Sequence, residues 1–283
     1  MYLEIMTALP SVFLPAADIP SFVGQGNVDL GITGHDVILE AKMQEHITEV
    51  LRLGFGKCKL QVQVPETGPI KSVQDLAGKR VVTSFEVLAG EYFGKLDADL
   101  GLGGEKHTHI EYVGGSVEAA CALGLADGIG GLHPFINSQT SKFYLSDLLI
   151  FLVDLVESGD TMRAAGLHAI ATVLETEAVL IKSSVPKHTA LDPLIAQITS
   201  RIAGVVAASK YAICQYNIRR DRVPEAVTIT PGRRAATIAP LEEEGWVEVS
   251  SMVEKKKIAD IMDELMKIGA EDILIFGLDN CRV

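Results

Sequence analysis

The sequence predicts an α/β protein with a small α+β module at its C-terminal end, and three observations carry that prediction. Short β-rich runs alternate with Gly-rich turns and helical stretches through most of the chain. A charged segment containing Pro224, RRDRVPEA from Arg219, then changes the texture and reads as a domain boundary. Beyond it come strand signals, one amphipathic helix and a closing strand, an order suited to an α+β sandwich. The length of 283 residues agrees, because about 150 residues per domain predicts roughly two domains.

Taken in order, Val28 to Thr33 (VDLGIT) reads as a buried strand, with Gly31 and Gly34 permitting close backbone approach. Lys59 to Val64 alternates polar and apolar residues and stops at Pro65, which makes it a strand with one polar face. Lys79 to Ser84 is a further strand whose closing Thr-Ser pair suits a helix cap. Ile110 to Val113 leads through Gly114-Gly115-Ser116 into a helix over Val117 to Leu125. Strands and helices alternating at these lengths predict parallel sheets. Val173 to Lys182 reads as one strand, Leu194 to Ser209 as a helix with an apolar stripe, and Tyr211 to Asn217 as a strand. After the boundary, Val227 to Thr230, Thr237 to Pro240 and Trp246 to Val253 read as strands, with a turn at Pro231-Gly232. A helix follows with Ile258, Ile261, Met262, Leu265 and Ile268 on one face; it stops at Gly269, before a last strand from Ile273 to Phe276.

Composition narrows the function classes. Hydrophobic residues at 48% against 22% charged exclude wholesale disorder. A net charge of −12 argues against nucleic acid or an anionic membrane as partner, so a phosphate-bearing ligand must be held by local donors. The oily run Phe143 to Val156 is broken by Asp147 and Asp154 and is too short to span a bilayer. Met1 is followed by Tyr-Leu-Glu-Ile without a basic region, so the expected location is cytoplasmic. Cys58, Cys121, Cys214 and Cys281 form no CxxC pair and read as small hydrophobes in a reducing compartment. His107 and His109 have no third metal ligand nearby.

The segment that carries chemistry is VDLVESGDTMRAAGL, Val153 to Leu167. A strand end runs into Glu157, Ser158, Gly159, Asp160 and Thr161, and then into a helix read from Met162 to Leu167. A phosphate here would meet backbone N–H groups, a glycine permitting close approach and two hydroxyls. The two acids repel phosphate, but they suit a sugar phosphate, whose hydroxyls they accept or whose Mg²⁺ they hold. On pattern alone, an ordinary helix capped by Ser158 or Asp160 accounts for the same residues.

VESGDTMRAAGL, LGLADG and GGSVEAA resemble the phosphoribosyl-diphosphate signature of the ATP phosphoribosyltransferase family. FLPAADIPSFVGQGNVDLGITGHD, GKCKLQVQVP, TPGRRAATIAPLEEEGWVEVSSMV and FGLDNCRV extend that resemblance over most of the chain, toward the long fungal-type form. The resemblance implies two lobes of the type II periplasmic-binding-protein fold and a C-terminal α+β (ferredoxin-like) regulatory domain. Lobe I would span residues 1–60 and 172–222, lobe II 61–171, and the regulatory domain 223–283. It further implies ATP and phosphoribosyl diphosphate as substrates, dependence on Mg²⁺, histidine as feedback inhibitor, and a homo-oligomer, dimeric or hexameric. Under it Ser158, Gly159, Asp160 and Thr161 hold the 5-phosphate while Met162 opens the helix. Asp154 and Glu157, as catalytic and metal-facing acids, address the ribose or Mg²⁺. Ser116 and Glu118 line the same cleft, Thr83 and Ser84 contact phosphate, and Asp29, Gly31, Thr33 and Gly34 border the nucleotide. For Thr83 and Ser84 a simple N-cap, and for the Asp29 group plain strand packing, account equally for the residues. A non-catalytic regulatory paralogue and a solute-binding module of the same fold are the competing readings.

Two departures from the family pattern stand out. The chain opens at MYLEIMTALPS, without the basic KGR-type element and strand expected before FLPAAD. The 23 residues Gly130 to Leu152 also separate Ile129 from Val153, which the pattern runs together as one strand. These correspond to 69 nucleotides and keep the reading frame. If Gly130 is encoded GGT its last two bases form a splice donor, an A closing codon 152 before the G of Val153 forms an acceptor, and joining the two restores Val. The segment therefore reads as a translated intron, with a real surface loop as the alternative.

Overall fold

Along the strand Cys58–Pro65 (β3), Leu60, Val62 and Val64 are fully buried, because a period of two sends alternate side chains into one layer. The computed structural model describes residues 11–104, 107–114 and 151–282. The chain divides into two compact units, Met1–Thr189 and Ala190–Val283.

The described residues of the first unit form two sheets. In the smaller, β1 (Leu30–Gly34), β8 (Ala178–Ser183) and β2 (Ile47–Arg52) lie in the order β1-β8-β2, antiparallel throughout. In the larger, β5 (His109–Tyr112), β4 (Arg80–Thr83), β6 (Phe151–Val156), β3 and β7 (Leu167–Thr176) lie in the order β5-β4-β6-β3-β7. Among the described residues only β4 with β5 and β4 with β6 pair in parallel; β3 runs antiparallel to both β6 and β7. The expectation of parallel sheets is corrected accordingly. A parallel neighbour needs a crossover of about a dozen residues or more, as helix α3 (Glu86–Asp99) provides between β4 and β5. Elsewhere the chain passes between sheets on short links, residues 53–57 between β2 and β3 and Glu177 alone between β7 and β8. The single strand expected over Val173 to Lys182 is thus two strands in different sheets, and the links place the lobe crossings at 53–57 and 177 rather than at 60/61 and 171/172.

Each sheet has its own core. Helix α1 (Ile19–Gly24) and helix α2 (His35–Glu40) cover the smaller with Val23 and Ile38, against Ile47, Val179 and Ile181. On the larger, α3 places Leu88, Ala89 and Phe93 over Leu60, Val62, Val81 and Val153. Strand β6 takes in Phe151 and Leu152, in register with Val81 and Gln63, so the last two residues of the expected insertion form sheet backbone. The rest of that insertion, the helix expected over Val117 to Leu125, and Ser116 and Glu118 lie outside the described residues.

The second unit opens with a helix after the short helix α4 of the first (Asp160–Ala164): α5, Asp192–Lys210. An antiparallel sheet follows, ordered β10 (Thr237–Pro240), β11 (Trp246–Glu254), β9 (Tyr211–Arg219) and β12 (Glu271–Gly277), with helices α6 (Val223–Ile229) and α7 (Ile258–Lys267). Cys214, Tyr216 and Ile218 of β9 are fully buried with Val247, Val249 and Leu265. Because β9 is an interior strand, a boundary at Val223 would cut it from both neighbours; the unit begins before it. Val227 to Thr230, expected as a strand, falls largely in α6. Pro224 in the first turn starts that helix, and burial of Ala226 outweighs the β propensity of Val227 and Thr228.

Candidate active site

Val153 and Leu155 of β6 face the core, so Asp154 projects from the opposite face, where its carboxylate accepts the Leu155 N–H at 2.8 Å. The strand ends at Val156, and Glu157 and Ser158 stand exposed. Gly159 turns the chain at φ 79°, and a Cβ there would lie 2.8 Å from Arg163 Nη1. The left-handed φ favours glycine, and any side chain would in addition push the Arg163 guanidinium aside. The helix expected from Met162 to Leu167 instead starts at Asp160 and ends by Gly166 (φ 70°), whose left-handed turn lets Leu167 open β7.

Side chains lock this loop. Ser158 Oγ donates to Asp160 Oδ2 at 2.7 Å, and Arg163 Nη2 donates to Asp160 Oδ1 at 2.6 Å and to the Ser158 carbonyl at 3.1 Å. The Ser158 hydrogen bond, then Arg163, holds the Asp160 carboxyl below its ordinary pKa. Thr161 is exposed at the loop's outer side, and Met162 anchors it on Val82 and Leu167. The loop is thus closed on itself through Asp160, with the Thr161 side chain left exposed.

Beside it lies a cavity of about 440 Å³, lined by Arg52, Lys57, Cys58, Lys59, Val156, Glu157, Glu175, Thr176 and Glu177. These residues come from both sheet crossings and from the end of β6. Lys59 faces Val156 on one neighbouring strand and Glu175 on the other. Its ammonium meets Glu175 at 2.7 Å, and Arg52 meets Glu177 at 3.4 Å. Lys59 lowers the Glu175 pKa, while burial, then Asp36 and Glu157, raises that of the Cys58 thiol. Buried Asp36 is bound to Thr176 twice, accepting its hydroxyl at 2.6 Å and donating its own N–H at 3.0 Å, which pins α2 to the end of β7.

Of the residues singled out in the sequence, Glu157 lines the cavity and Ser158 to Met162 form the adjoining loop. Asp154 is not among the lining residues. Thr83 is fully buried, donating to the Val153 carbonyl at 2.7 Å and accepting the Phe85 N–H at 2.9 Å, so its hydroxyl is committed to the fold. Ser84, next to it, is half-buried and outside the lining set. Gly31 is a packing glycine: a Cβ there would lie 2.8 Å from Val23 Cγ2. Gly34 makes room for the Asp36 carboxylate, Thr33 is buried and leans on the Ala16 carbonyl at 3.4 Å, and Asp29 faces His188 at 3.8 Å. None of these four lines the cavity. Sequence reasoning passed over Arg52, Lys57, Lys59 and Arg163; the signal for the first three was a cluster of cations around FGKCK in a strongly acidic chain, and Arg163 directly follows the ESGDTM motif.

Two sheets joined by short crossings, a cavity edged with cations at those crossings and a locked glycine loop after a parallel strand define a two-lobed α/β protein with an α+β module appended. The chain belongs to the ATP phosphoribosyltransferase family, whose profile matches residues 15–133 and 144–204, while that of the HisG C-terminal domain matches 208–280. The ATP phosphoribosyltransferase of Yarrowia lipolytica is 54% identical over 287 residues, covering 99% of this chain and 86% of that protein. The Saccharomyces cerevisiae protein of the same name is 49% identical over 284 residues, with the same coverage. Among solved structures, the Thermotoga maritima ATP phosphoribosyl transferase (HisG:HisZ) complex is 19% identical, covers 66% of this chain and 74% of its own, and has a TM-score of 0.47. The family's reaction moves the phosphoribosyl group of phosphoribosyl diphosphate to N1 of ATP with release of pyrophosphate, the first step of histidine biosynthesis.

Proposed function

We propose that the Ser158–Thr161 loop holds the 5-phosphate of phosphoribosyl diphosphate and that the adjoining cavity takes its diphosphate. The observation that carries this reading is the placement of Arg52, Lys57 and Lys59 around one cavity with the glycine loop at its edge. Attack by adenine N1 on ribose C1 forms the new N–C bond as the C–O bond to the diphosphate breaks, with inversion. The transition state spreads positive charge on the sugar and negative charge on the departing pyrophosphate. Glu157 stabilises the first, and Lys57, Lys59 and Arg52 the second. In-line positioning supplies the remainder, since no covalent step falls to the protein.

Glu157, at the cavity wall, fits Mg²⁺, a cation that binds through one or two carboxylates plus substrate phosphates; Asp154, two residues before Val156 on the same face of β6, is not itself among the lining residues. Bound there, Mg²⁺ neutralises charge on the diphosphate.

The second unit is the proposed histidine sensor, acting through a homo-oligomer in the cytoplasm. Its support is a separate core and a separate family match. Calorimetric titration of phosphoribosyl diphosphate and assay of pyrophosphate release with ATP test the catalytic reading. Tight binding of an amino acid or oxyanion with none of phosphoribosyl diphosphate overturns it. Histidine is expected to slow amide exchange in β9 to β12; slowing confined to the Ser158–Thr161 loop refutes the sensor.

A further inference from the structure

Helix α2 has six residues, yet it belongs to two cores. Ile38 is buried in the core of the three-stranded sheet, and its neighbour Leu39 packs on the core of the five-stranded sheet. Glu40 ends the helix and reaches across to the first turn of α3. One carboxylate oxygen accepts the Val87 N–H at 2.9 Å and the other accepts the Leu88 N–H at 3.0 Å.

Those donors have no cap on their own element. Phe85 at the N-cap makes no side-chain cap, and Thr83 Oγ1 already accepts the Phe85 N–H. The N–H groups of Val87 and Leu88, at the second and third positions of the helix, are therefore satisfied from the other lobe, and the negative carboxylate is well placed against the helix dipole. Helix α3 follows β4, and β4 runs parallel to β6, so the start of α3 and the Ser158–Thr161 loop lie at the same carboxyl edge of the sheet. The covalent crossings and the Asp36–Thr176 pair join the lobes at the start of α2; Glu40 joins them again about one helical turn further along.

We propose that Glu40 is a positioning residue, a clasp that caps α3 from the opposite lobe and holds the cleft in its substrate-binding arrangement. The claim on substrate affinity rests on the phosphoribosyl-diphosphate reading above; the claim on lobe geometry does not. When the clasp is removed, the binding arrangement becomes a minor population and apparent affinity falls by that fraction.

The test uses the full chain with nitroxide labels on the exposed positions Glu45 and Lys95, one in each lobe. In Glu40→Ala the interlobe distance distribution is expected to widen toward longer values, and the Kd for phosphoribosyl diphosphate to rise about tenfold. Saturating phosphoribosyl diphosphate should return the distribution to that of the unsubstituted protein. Glu40→Gln, which keeps the side-chain shape and one acceptor, falls between the two and carries the test should the alanine variant not fold. An unchanged distance distribution in both variants overturns the clasp. So does a widened distribution at unchanged affinity, because the contact then braces the fold without positioning the site. If the unsubstituted protein binds no phosphoribosyl diphosphate, the functional reading fails, and the distance measurement alone upholds or overturns the clasp.

Discussion

Thr83→Val separates the two roles open to this residue. The substitution preserves shape and removes one hydroxyl that serves two backbone groups, the Val153 carbonyl at 2.7 Å and the Phe85 N–H at 2.9 Å, at a side chain with no exposure. Leaving buried polar groups without a partner costs about 1–3 kcal/mol. The Val153 carbonyl has sheet neighbours on both sides and recovers part of that loss, so about 2 kcal/mol is expected. For a unit of this size the thermal midpoint falls by about 4–8 °C. Thr83→Ser keeps the hydroxyl and should lose about 1 kcal/mol or less. Calorimetric melting of the three proteins, with titration of phosphoribosyl diphosphate in parallel, reads both quantities. A Val variant as stable as the parent but with substrate affinity lost would refute the structural assignment and return Thr83 to phosphate binding.

Three further outcomes are expected. Because Asp160 is held below its ordinary pKa by Ser158 and Arg163, the locked loop is fully present above the ordinary carboxylate pKa and is lost as pH falls through the depressed one. An NMR titration should therefore place Asp160 below 3.8, and Arg163→Ala should move it upward; a midpoint unmoved by that substitution contradicts the lock. Glu175→Gln releases Lys59 and should tighten binding of inorganic pyrophosphate several-fold, so weaker binding would mean that Glu175 orients the lysine for its ligand. Deleting Gly130 to Leu152 puts Gly128 and Ile129 in the strand positions of Phe151 and Leu152 and should raise the soluble yield. The family match is itself interrupted between 133 and 144, inside that segment. A mature transcript that retains all 69 nucleotides sinks the intron reading.

The Ser158–Met162 loop was legible because its parts are consecutive: the strand end, the glycine and the hydroxyls are neighbours in the chain. Arg163 stood in the same motif and was passed over, since its role depends on folding back onto Asp160 and the Ser158 carbonyl. The strand-end residues Thr83, Gly31 and Thr33 looked like ligand contacts. Their patterns, a hydroxyl before a helix and glycines in an apolar run, arise equally from packing, and only their buried surroundings distinguish the two.

Local chemistry in the sequence determined the alternation of strands and helices, the amphipathic face of α7, the glycine turn at Gly159 and, through resemblance, the family. Those features depend on residues within a few positions of one another. Tertiary structure alone decided which sheet each strand joins. The run from Val173 to Lys182 looks uniform, yet it divides at Glu177 because its two halves find hydrogen-bonding partners in different sheets. The same holds for β9, whose place at the centre of the second unit is set by β11 and β12, far along the chain. Lys59 reaches the candidate site for that reason too: β3 lies between β6 and β7, and register sets it between Val156 and Glu175. Backbone pairing is nearly indifferent to side-chain identity at any one position, so the choice of neighbour is made by burial of whole faces, which no local window contains.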